Sequence, residues 1–349
     1  MRKYILFIII IISAGRAIGQ DIQYSQFYAN ALYLSPSFAG SNLASRAIFH
    51  SRLQWLSLDA SFVSNTISFD HFFEKYNSGI GVLINSDYSS SYGANSFQSL
   101  EVGLQYSYTV SINDKLTFRP GLQASFGNNS LGWKHLTFNQ QYDDRTGLDA
   151  TKATGENFVS TRFSYPDVGA GGLLYSNRFW VGLSAHHLNQ PRFGFETSEQ
   201  RLPMKLTIHT GTKILVGKQE RPRYGIDDGT EYEKSISPVI LYKMQGKWDQ
   251  LDVGFYARYN NILGGFWYRG IPLKLYPNEK YNGDAAIFLL GFLYKGFTFA
   301  YSYDLTLSQL TPARTGGSHE FSLTYNFSLI TTKKKKIPSK HKKPICPKI

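Results

Sequence analysis

The sequence predicts an all-β fold, a transmembrane antiparallel outer-membrane β-barrel of about 14 strands. Three observations favour this fold: an N-terminal export signal, long stretches of alternating apolar and polar residues, and a high content of aromatic residues. Aromatic residues make up 15% of the 349-residue chain, with 24 Tyr and 25 Phe. Barrels of this class need them, because aromatic girdles flank both edges of the lipid-facing band.

The first 19 residues have the pattern of a cleaved signal peptide. The basic pair Arg2-Lys3 precedes an apolar stretch over 4–14, and Ala17-Ile18-Gly19 supplies the small residues of a cleavage site. A membrane-spanning helix needs roughly 20 apolar residues, and the longest later apolar run, 285–294, has about half that number. We therefore expect an exported chain that begins at Gln20 and crosses the membrane with strands.

Alternation with a period of two residues runs through most of the mature chain and is typical of strands with two different faces. It is clearest over 100–110, over 116–126 and near the end of the chain, over 320–329. The predicted strands lie near residues 44–55, 61–73, 78–88, 96–111, 114–127, 166–176, 178–188, 204–216, 235–245, 250–259, 262–270, 285–295, 296–305 and 317–330.

The lengths of the connections give a second test of this strand order. With both termini periplasmic, the barrel should have short periplasmic turns and longer external loops. The turns at 111–115, 176–177, 260–261 and 295–296 fit this rule, whereas the connection 217–234 is long where a turn is expected. It indicates either a periplasmic insertion or an error in the strand count nearby. The predicted external loops include 128–165, 189–203, 271–284 and 306–316.

Five basic and five acidic residues fall on the inward-facing side of the predicted strands. Opposite charges inside a barrel should pair, because an unpaired buried charge is costly. Two interpretations fit: a solvated porin wall, or a lumen obstructed by salt bridges and by the N-terminal segment of the mature chain. The predicted lumen charge network consists of Arg46, Arg52, Asp70, Glu101, Arg119, Asp252, Arg258, Arg269, Asp304 and Glu320.

The net charge of +12 belongs to the two ends of the chain. The signal region carries three basic residues and the tail after Thr332 carries eight lysines, so 12 minus 3 minus 8 leaves about +1 for the remainder. This distribution excludes a basic nucleic-acid surface on the barrel. The expected divisions are a signal peptide over 1–19, a periplasmic or lumenal segment over 20–43, the barrel over 44–330 and a basic periplasmic tail over 331–349.

The tail combines a lysine run with the single cysteine of the chain. The run can anchor the tail beside anionic outer-membrane lipid or dock it to a periplasmic partner. Cys346 should remain a free thiol, because the chain has no second cysteine. The tail residues singled out are Lys333, Lys334, Lys335, Lys336, Cys346 and Pro347.

No residue pattern predicts an enzyme, a cofactor or a metal site. The adjacent pair His186-His187 would point to opposite faces of a strand and could not chelate a metal from one side. No spacing brings a serine nucleophile together with a histidine base, so an outer-membrane hydrolase is not expected.

Short motifs follow one another in a fixed order along the whole mature chain. They are Tyr24-Ser25-Gln26-Phe27-Tyr28, Leu34-Ser35-Pro36-Ser37-Phe38-Ala39-Gly40, Arg52-Leu53-Gln54-Trp55, Ser68-Phe69-Asp70, Gly169-Ala170-Gly171-Gly172-Leu173-Leu174-Tyr175, His187-Leu188-Asn189-Gln190-Pro191, Leu202-Pro203, Trp267-Tyr268-Arg269, Tyr301-Ser302-Tyr303-Asp304, His319-Glu320-Phe321-Ser322-Leu323 and Cys346-Pro347. Together they resemble the PorP/SprF family, outer-membrane proteins of the type IX secretion system and of gliding motility. Two departures are Ser35 and Ser37 around Pro36, where the family usually has Asn and Ala, and the final Ile349 in place of an aromatic residue.

The resemblance implies a non-catalytic barrel that supports the secretion and cell-surface attachment of a partner protein. The implied partners are a secreted type IX substrate such as a large adhesin, and periplasmic secretion or motility components. The barrel alone would equally allow a passive porin or a small-solute transporter. Aromatic residues that cluster in an exposed loop usually mark an interface, and the alternative is that they fold the loop onto the rim of the barrel. Those of the predicted external partner loop are Trp133, Phe138, Tyr142, Phe158 and Phe163.

Overall fold

A closed antiparallel barrel of fourteen strands encloses the N-terminal segment of the chain in the computed structural model. The structure describes residues 21–58, 60–91, 94–132, 141–143, 147–149, 152, 161–194, 200–217, 233–275, 281–308, 311–327 and 346. No helix within these ranges is long and apolar enough to span a membrane.

The strands follow one another around the barrel in chain order. They are β1 Ser45–Gln54, β2 Ala60–Phe73, β3 Ser78–Ser91, β4 Ala94–Tyr108 continued by Val110–Ser111, β5 Thr117–Leu131, β6 Arg162–Tyr175, β7 Phe179–His186, β8 Lys205–Thr212 continued by Ile214–Leu215, β9 Lys234–Gln245, β10 Trp248–Tyr259, β11 Ile262–Leu275, β12 Tyr281–Tyr294, β13 Phe297–Thr306 and β14 Ser318–Phe327. The short helices are α1 Ala31–Leu34 and α2 Pro312–Thr315, with 3₁₀ turns at Pro36–Phe38 and Glu74–Tyr76.

The first and last strands close the barrel. Ser45 of β1 pairs with Phe327 of β14, and Gln54 pairs with Ser318 at the other end of the same ladder. Closure gives every strand two neighbours, which satisfies the backbone groups that would otherwise be exposed to hydrocarbon. Each predicted strand corresponds to one of these fourteen, so the predicted fold class is confirmed.

The two faces of each strand differ in polarity as a membrane barrel requires. Along β5 the buried and exposed residues alternate from Thr117 to Ser125. Arg119 and Gln123 are buried inside, whereas Leu122 is 61% exposed and Phe126 is exposed outside. An apolar outer face of this kind is stable against lipid rather than water.

The barrel has two different ends. At one of them, here called the turn end, β1 begins, β14 ends and short connections such as Glu74–Tyr76 lie. At the opposite loop end lie longer connections, such as those between β5 and β6 and between β7 and β8, together with the two-residue turn Gly246-Lys247. Ile214 of β8 pairs with Ile236 of β9, so the strand count near 217–234 is correct and the long connection at the turn end is genuine. Most of it, 218–232, lies outside the described residues.

Two predicted loops are shorter than the sequence indicated. β11 and β12 continue to Leu275 and from Tyr281, which leaves little of the predicted loop 271–284. Likewise β5 ends at Leu131 and β6 begins at Arg162, inside the predicted loop 128–165. The alternation fades there because strand ends that project beyond the hydrocarbon no longer need an apolar outer face.

Residues 21–44, here called the lumen plug, fold inside the barrel and cross it from one end to the other. Asp21 lies at the loop end, where it contacts the last residue of β9, Gln245. Gly40 lies at the turn end, where its amide N donates to Asp70. The first described residue of the plug is therefore at the loop end, whereas both termini lie outside the described residues and their periplasmic location stays a prediction. Sequence patterns could not show how the plug runs, since it has no periodicity that fixes its direction.

Candidate functional site in the barrel lumen

The plug is shaped by local capping interactions. Ser35 precedes the turn Pro36–Phe38 and its Oγ accepts a hydrogen bond from the amide N of Ser37 at 3.3 Å. Pro36 occupies the first position of that turn, where its fixed φ fits and its missing N–H is not needed. These residues explain why the motif around Pro36 forms a compact turn rather than a strand.

Gly40 fits closely against the barrel wall. Its φ of +67° is in the left-handed region, and a Cβ built there would lie 2.8 Å from the Cα of Gly79. Its amide N donates to Asp70 Oδ2 at 2.7 Å. Both the backbone conformation and the space therefore require glycine at this position.

A buried ion cluster joins the start of the plug to the barrel. Asp304 Oδ2 accepts hydrogen bonds from Ser25 Oγ at 2.5 Å, from Arg52 Nη1 at 2.9 Å and from Arg269 Nη1 at 3.0 Å. Arg269 Nε also donates to Asp252 Oδ1 at 3.0 Å. The side chains of Arg52, Arg269, Asp252 and Asp304 are at most 4% exposed, so these charges are compensated by one another rather than by water.

Glu320 extends the cluster onto the backbone of the plug. Its two carboxylate oxygens accept from the amide N of Ser25 at 2.6 Å and from that of Gln26 at 2.9 Å. Glu320 also accepts from Arg52, and it lies 3.1 Å from His50 Nε2. Four residues of the predicted network, Arg52, Arg269, Asp304 and Glu320, thus meet at Ser25.

The arginines near the turn end bind the other end of the plug. Arg46 Nε donates to Asp70 Oδ1 at 2.8 Å, and Arg46 Nη2 donates to the carbonyl oxygen of Phe38 at 3.1 Å. Arg119, which is fully buried, donates to the carbonyl oxygen of Ser37 at 3.3 Å. Carbonyl oxygens of the plug therefore accept part of the arginine hydrogen bonds that the sequence alone would assign to carboxylates.

Two members of the predicted network lie apart from these clusters. Glu101 accepts from the side-chain amides of Gln123 at 3.2 Å and Asn85 at 3.1 Å. Arg258 Nε donates to the carbonyl oxygen of Asn260 at 3.0 Å. The structure thus brings seven of the predicted residues into contact with an oppositely charged partner: Arg46, Asp70, Arg52, Asp304, Glu320, Arg269 and Asp252.

A second charge cluster at the loop end holds Asp21, and sequence analysis did not predict it. His187 lies between two carboxylates, with Nε2 2.9 Å from Asp21 Oδ2 and Nδ1 2.9 Å from Asp167 Oδ2. Lys205 Nζ donates to Asp21 Oδ2 at 2.8 Å, and Gln245 Nε2 donates to Asp21 Oδ1 at 2.9 Å. The only signal in the sequence was His187 itself, whose partners are distant along the chain.

The electrostatics of this cluster keep both groups charged. Burial alone would raise the pKa of Asp21, but the charges of Lys205 and His187 outweigh it and hold that pKa well below its usual range. Burial alone would lower the pKa of His187, but the Asp21 charge and the hydrogen bonds to Asp167 and Asp21 raise it to about 10. Protonated on both ring nitrogens, His187 donates to both carboxylates.

Aromatic side chains pack the middle of the plug against the barrel. Trp180 Nε1 donates to Tyr28 Oη at 2.6 Å, and Tyr28 Oη lies 3.1 Å from His209 Nδ1. Phe27 packs edge-on against Trp267 with their ring centroids 6.4 Å apart. The plug is therefore held by packed rings at its centre and by ions at both ends.

The predicted external partner loop is only partly described. Tyr142 lies on a short hairpin, Tyr142–Asp143 with Gly147–Leu148, and is 56% exposed. Phe163 lies on β6 and not in the loop, and it packs edge-on against Phe193 with a centroid distance of 5.1 Å. The sequence predicts a loop position for Phe163 because the alternation is weak at the strand end. Trp133, Phe138 and Phe158 lie outside the described residues.

The one described residue of the tail, Cys346, lies in the lumen. Cys346 is buried and lines a cavity of about 330 Å³ together with Tyr28, Phe38 and Arg46. Cys346 belongs to the cluster of buried hydrophobic residues, while the periplasmic location of the tail as a whole stays a prediction. Lys333, Lys334, Lys335, Lys336 and Pro347 lie outside the described residues.

Two cavities flank the plug. The turn-end cavity is the one lined by Cys346, and the loop-end cavity has a volume of about 530 Å³. The loop-end cavity is lined by the first residues of the plug and by β9, β10 and β11. Within the described residues no group of His, Cys, Asp and Glu side chains has the geometry of a metal site.

The structure therefore defines a transmembrane barrel of the outer-membrane type whose lumen is occupied by its own N-terminal segment. Residues 17–325 match the family described as type IX secretion system membrane protein PorP/SprF. The chain belongs to this family, which confirms the resemblance seen in its motifs and places it in the outer membrane. No curated protein matches the chain by sequence.

Solved outer-membrane barrels are similar in fold at very low sequence identity. The toluene transporter TodX of P. putida has a TM-score of 0.46 and 11% identity, covering 84% of this chain and 93% of its own. The toluene transporter TbuX of Ralstonia pickettii has a TM-score of 0.44 and 11% identity, covering 85% and 93%. Omp33 of Acinetobacter baumannii has a TM-score of 0.41 and 9% identity, covering 82% and 100%.

Proposed function

We propose that this barrel supports the secretion of a type IX substrate, such as a large adhesin, and attaches it to the cell surface without catalysing a reaction. Its partners are the secreted protein at the loop end and periplasmic secretion or motility components at the turn end. Family membership supports a role in type IX secretion. The orientation, with the loop end outside, is part of the proposal and follows the usual distribution of short turns and long loops.

The observation that carries the proposal is the occupied lumen. The plug is tied to β1, β13 and β14 at Ser25 and to β5 at Ser37. The Oγ of Ser184 on β7 donates to the carbonyl oxygen of Leu34 at 2.8 Å. Contacts with strands on opposite sides of the barrel mean that the plug lies across the lumen. A barrel filled in this way acts through its surfaces rather than as an open passage.

The surfaces that remain are the two ends. At the loop end, Tyr142 is exposed, and Phe163, Tyr165 and Phe193 form a group of rings at the start of β6. Clustered aromatic side chains are common anchors in protein interfaces. At the turn end the chain leaves β14 after Phe327, and the predicted basic tail that follows in the sequence would suit an acidic partner or anionic lipid.

Deleting the gene tests the proposal. We expect one secreted protein to disappear from the cell surface, measured by surface proteomics, while uptake of small hydrophilic dyes and antibiotics is unchanged. Complementation with the intact gene should restore the missing protein. If all surface proteins persisted and solute uptake fell instead, the barrel would be a porin or small-solute transporter.

A further inference from the structure

The loop-end cavity contains a basic side chain that is not paired with a carboxylate in the described part of the chain. Four basic side chains line it, and three of them are paired: Arg52 and Arg269 with Asp304, and Lys205 with Asp21. Lys243 Nζ has no hydrogen-bond or ion-pair partner in the described part of the chain. A volume of about 530 Å³ is within the range of small-ligand sites, roughly 300–1,000 Å³.

No carboxylate in the described part of the chain is paired with Lys243. Its neighbours across the sheet are Thr207 on β8 and Gln250 on β10, which are both uncharged. The carboxylate that attracts it, Asp252, already accepts a hydrogen bond from Arg269 Nε at 3.0 Å. Arg269 also repels Lys243, as do Lys205 and Arg52. An ammonium group in this position therefore favours an anion in the cavity.

The remaining wall of the cavity combines polar residues, among them the carboxylates Asp249 and Asp284, with a set of apolar side chains. Phe27 of the plug and Leu241 of β9 are buried on its inner side. Trp55 and Trp248 lie at the loop end, after β1 and at the start of β10, and Trp248 is 54% exposed. A ligand that fills the cavity would bury apolar surface against these side chains and place one charge near Lys243.

We propose that the loop-end cavity binds a carboxylate carried on an apolar peptide segment, with Lys243 as its counter-ion. The segment belongs to the secreted partner, an assignment that rests on the proposed function. The rim carboxylate Asp284 is half-exposed and only 3.9 Å from Arg269 Nη1, so its charge is screened from an anion that lies deeper.

A matched pair of probes tests the charge requirement. N-acetyl-leucyl-leucine carries a carboxylate, and its amide has the same apolar body without the charge. Isothermal titration calorimetry with the purified full-length barrel should show that the acid binds more tightly than the amide. Lys243→Met should weaken binding of the acid roughly tenfold or more and leave binding of the amide unchanged.

Lys247→Met is the matched control, because Lys247 is exposed at the same end of the barrel and does not line the cavity. It should bind both probes as the native protein does. Equal binding of acid and amide, or an unchanged acid affinity in Lys243→Met, would overturn the site. Unaltered binding of the amide to Lys243→Met would show that the variant is folded.

Cell-surface retention tests the assignment to the secreted partner. Cells with Lys243→Met should retain less of the protein that disappears in the deletion strain, whereas cells with Lys247→Met should retain the native amount. Normal retention in Lys243→Met would overturn the assignment. The calorimetry needs no secreted protein, so failure of the cavity site and failure of the proposed function are distinguishable.

Discussion

Asp304 joins the plug to the barrel wall through a buried ion cluster. It accepts hydrogen bonds from Ser25, Arg52 and Arg269 within a cluster closed to solvent. Asp304→Asn keeps the shape of the side chain but leaves two buried guanidinium groups with one carboxylate fewer. We expect a loss of about 3–5 kcal/mol in the free energy of unfolding, measured by urea titration of the barrel in lipid vesicles.

Asp114→Asn provides the control for that loss of charge. Asp114 is exposed in the turn between β4 and β5, so its replacement should change stability by less than about 0.5 kcal/mol. A similar effect of both substitutions would mean that the buried cluster contributes nothing specific.

The cluster of Asp21 and His187 gives the N-terminal anchor a defined pH dependence. The pKa of His187 is raised to about 10, so its contribution is complete below its ordinary pKa of 6.5 and is lost as the pH rises through about 10. The pKa of Asp21 is lowered, so its contribution is complete above 3.8 and is lost as the pH falls through the depressed value. Attachment should be strongest between these ordinary pKa values.

Hydrogen exchange checks this window. After correction for the intrinsic rate, amides of residues 21–26 should exchange faster at pH 10 than at pH 6 (roughly the limits of the His187 contribution). His187→Gln should remove that difference. His71→Gln, at the turn end near Ser45, should leave it unchanged. An alkaline increase that persists in His187→Gln would assign the effect to another group.

At the scale of single elements, the plug requires glycine at the point where it meets β3. Gly40 and Gly217 have almost the same φ, +67° and +69°, but a Cβ at Gly217 would have no neighbour within 4 Å. Both substitutions to Ala should carry the left-handed penalty of about 1–2 kcal/mol. Gly40→Ala should lower the unfolding free energy further, because its Cβ would overlap Gly79. Equal losses in urea titration would show that the close contact is unimportant.

The tail offers an independent test, since Cys346 is the only cysteine of the chain. Its burial beside Tyr28 and Phe38 predicts slow reaction with a polar maleimide in the folded barrel. Denaturation in urea should make labelling rapid, as followed by mass spectrometry. A variant with Ser339→Cys and Cys346→Ser would report on another part of the same tail. Rapid labelling of native Cys346 would contradict its place in the lumen.

The strands could be predicted from the sequence and the plug could not, for a physical reason. Strands such as β5 face lipid on one side and lumen on the other, so their sequence alternates. The plug lies inside the barrel without a lipid-facing side, so its sequence has no such period. Its turn at Pro36–Phe38 is bound by Arg119, and the space around Gly40 is limited by Gly79. Both of these residues lie far along the chain from the plug.

The charged residues of the lumen were predictable as a set but not as pairs. Arg52, Asp304 and Glu320 could be predicted because they occupy inward-facing positions of alternating strands. Ser25 and Gln26, which they bind, lie in a segment without such a pattern. The contacts of Asp21 could not be predicted, because His187 lies just after the end of β7. The alternation of inward and outward residues does not apply beyond the end of a strand. A single sequence therefore predicts which residues face the lumen. Which of them contact one another can be known only from the three-dimensional structure.

At the scale of the whole molecule, the plug predicts that the barrel conducts ions poorly. It is held at Ser25 and Ser37 by buried arginines and packed at Tyr28 by rings, so an open aqueous path would require many of these contacts to break together. Purified protein in planar bilayers should therefore show little steady conductance. A variant that lacks residues 21–38 but keeps Gly40 and its contact with Gly79 should conduct ions if it inserts into the bilayer. Stable nanosiemens-scale channels from the native protein would contradict a sealed lumen and favour a porin, and this measurement decides the question even if the shortened variant does not fold.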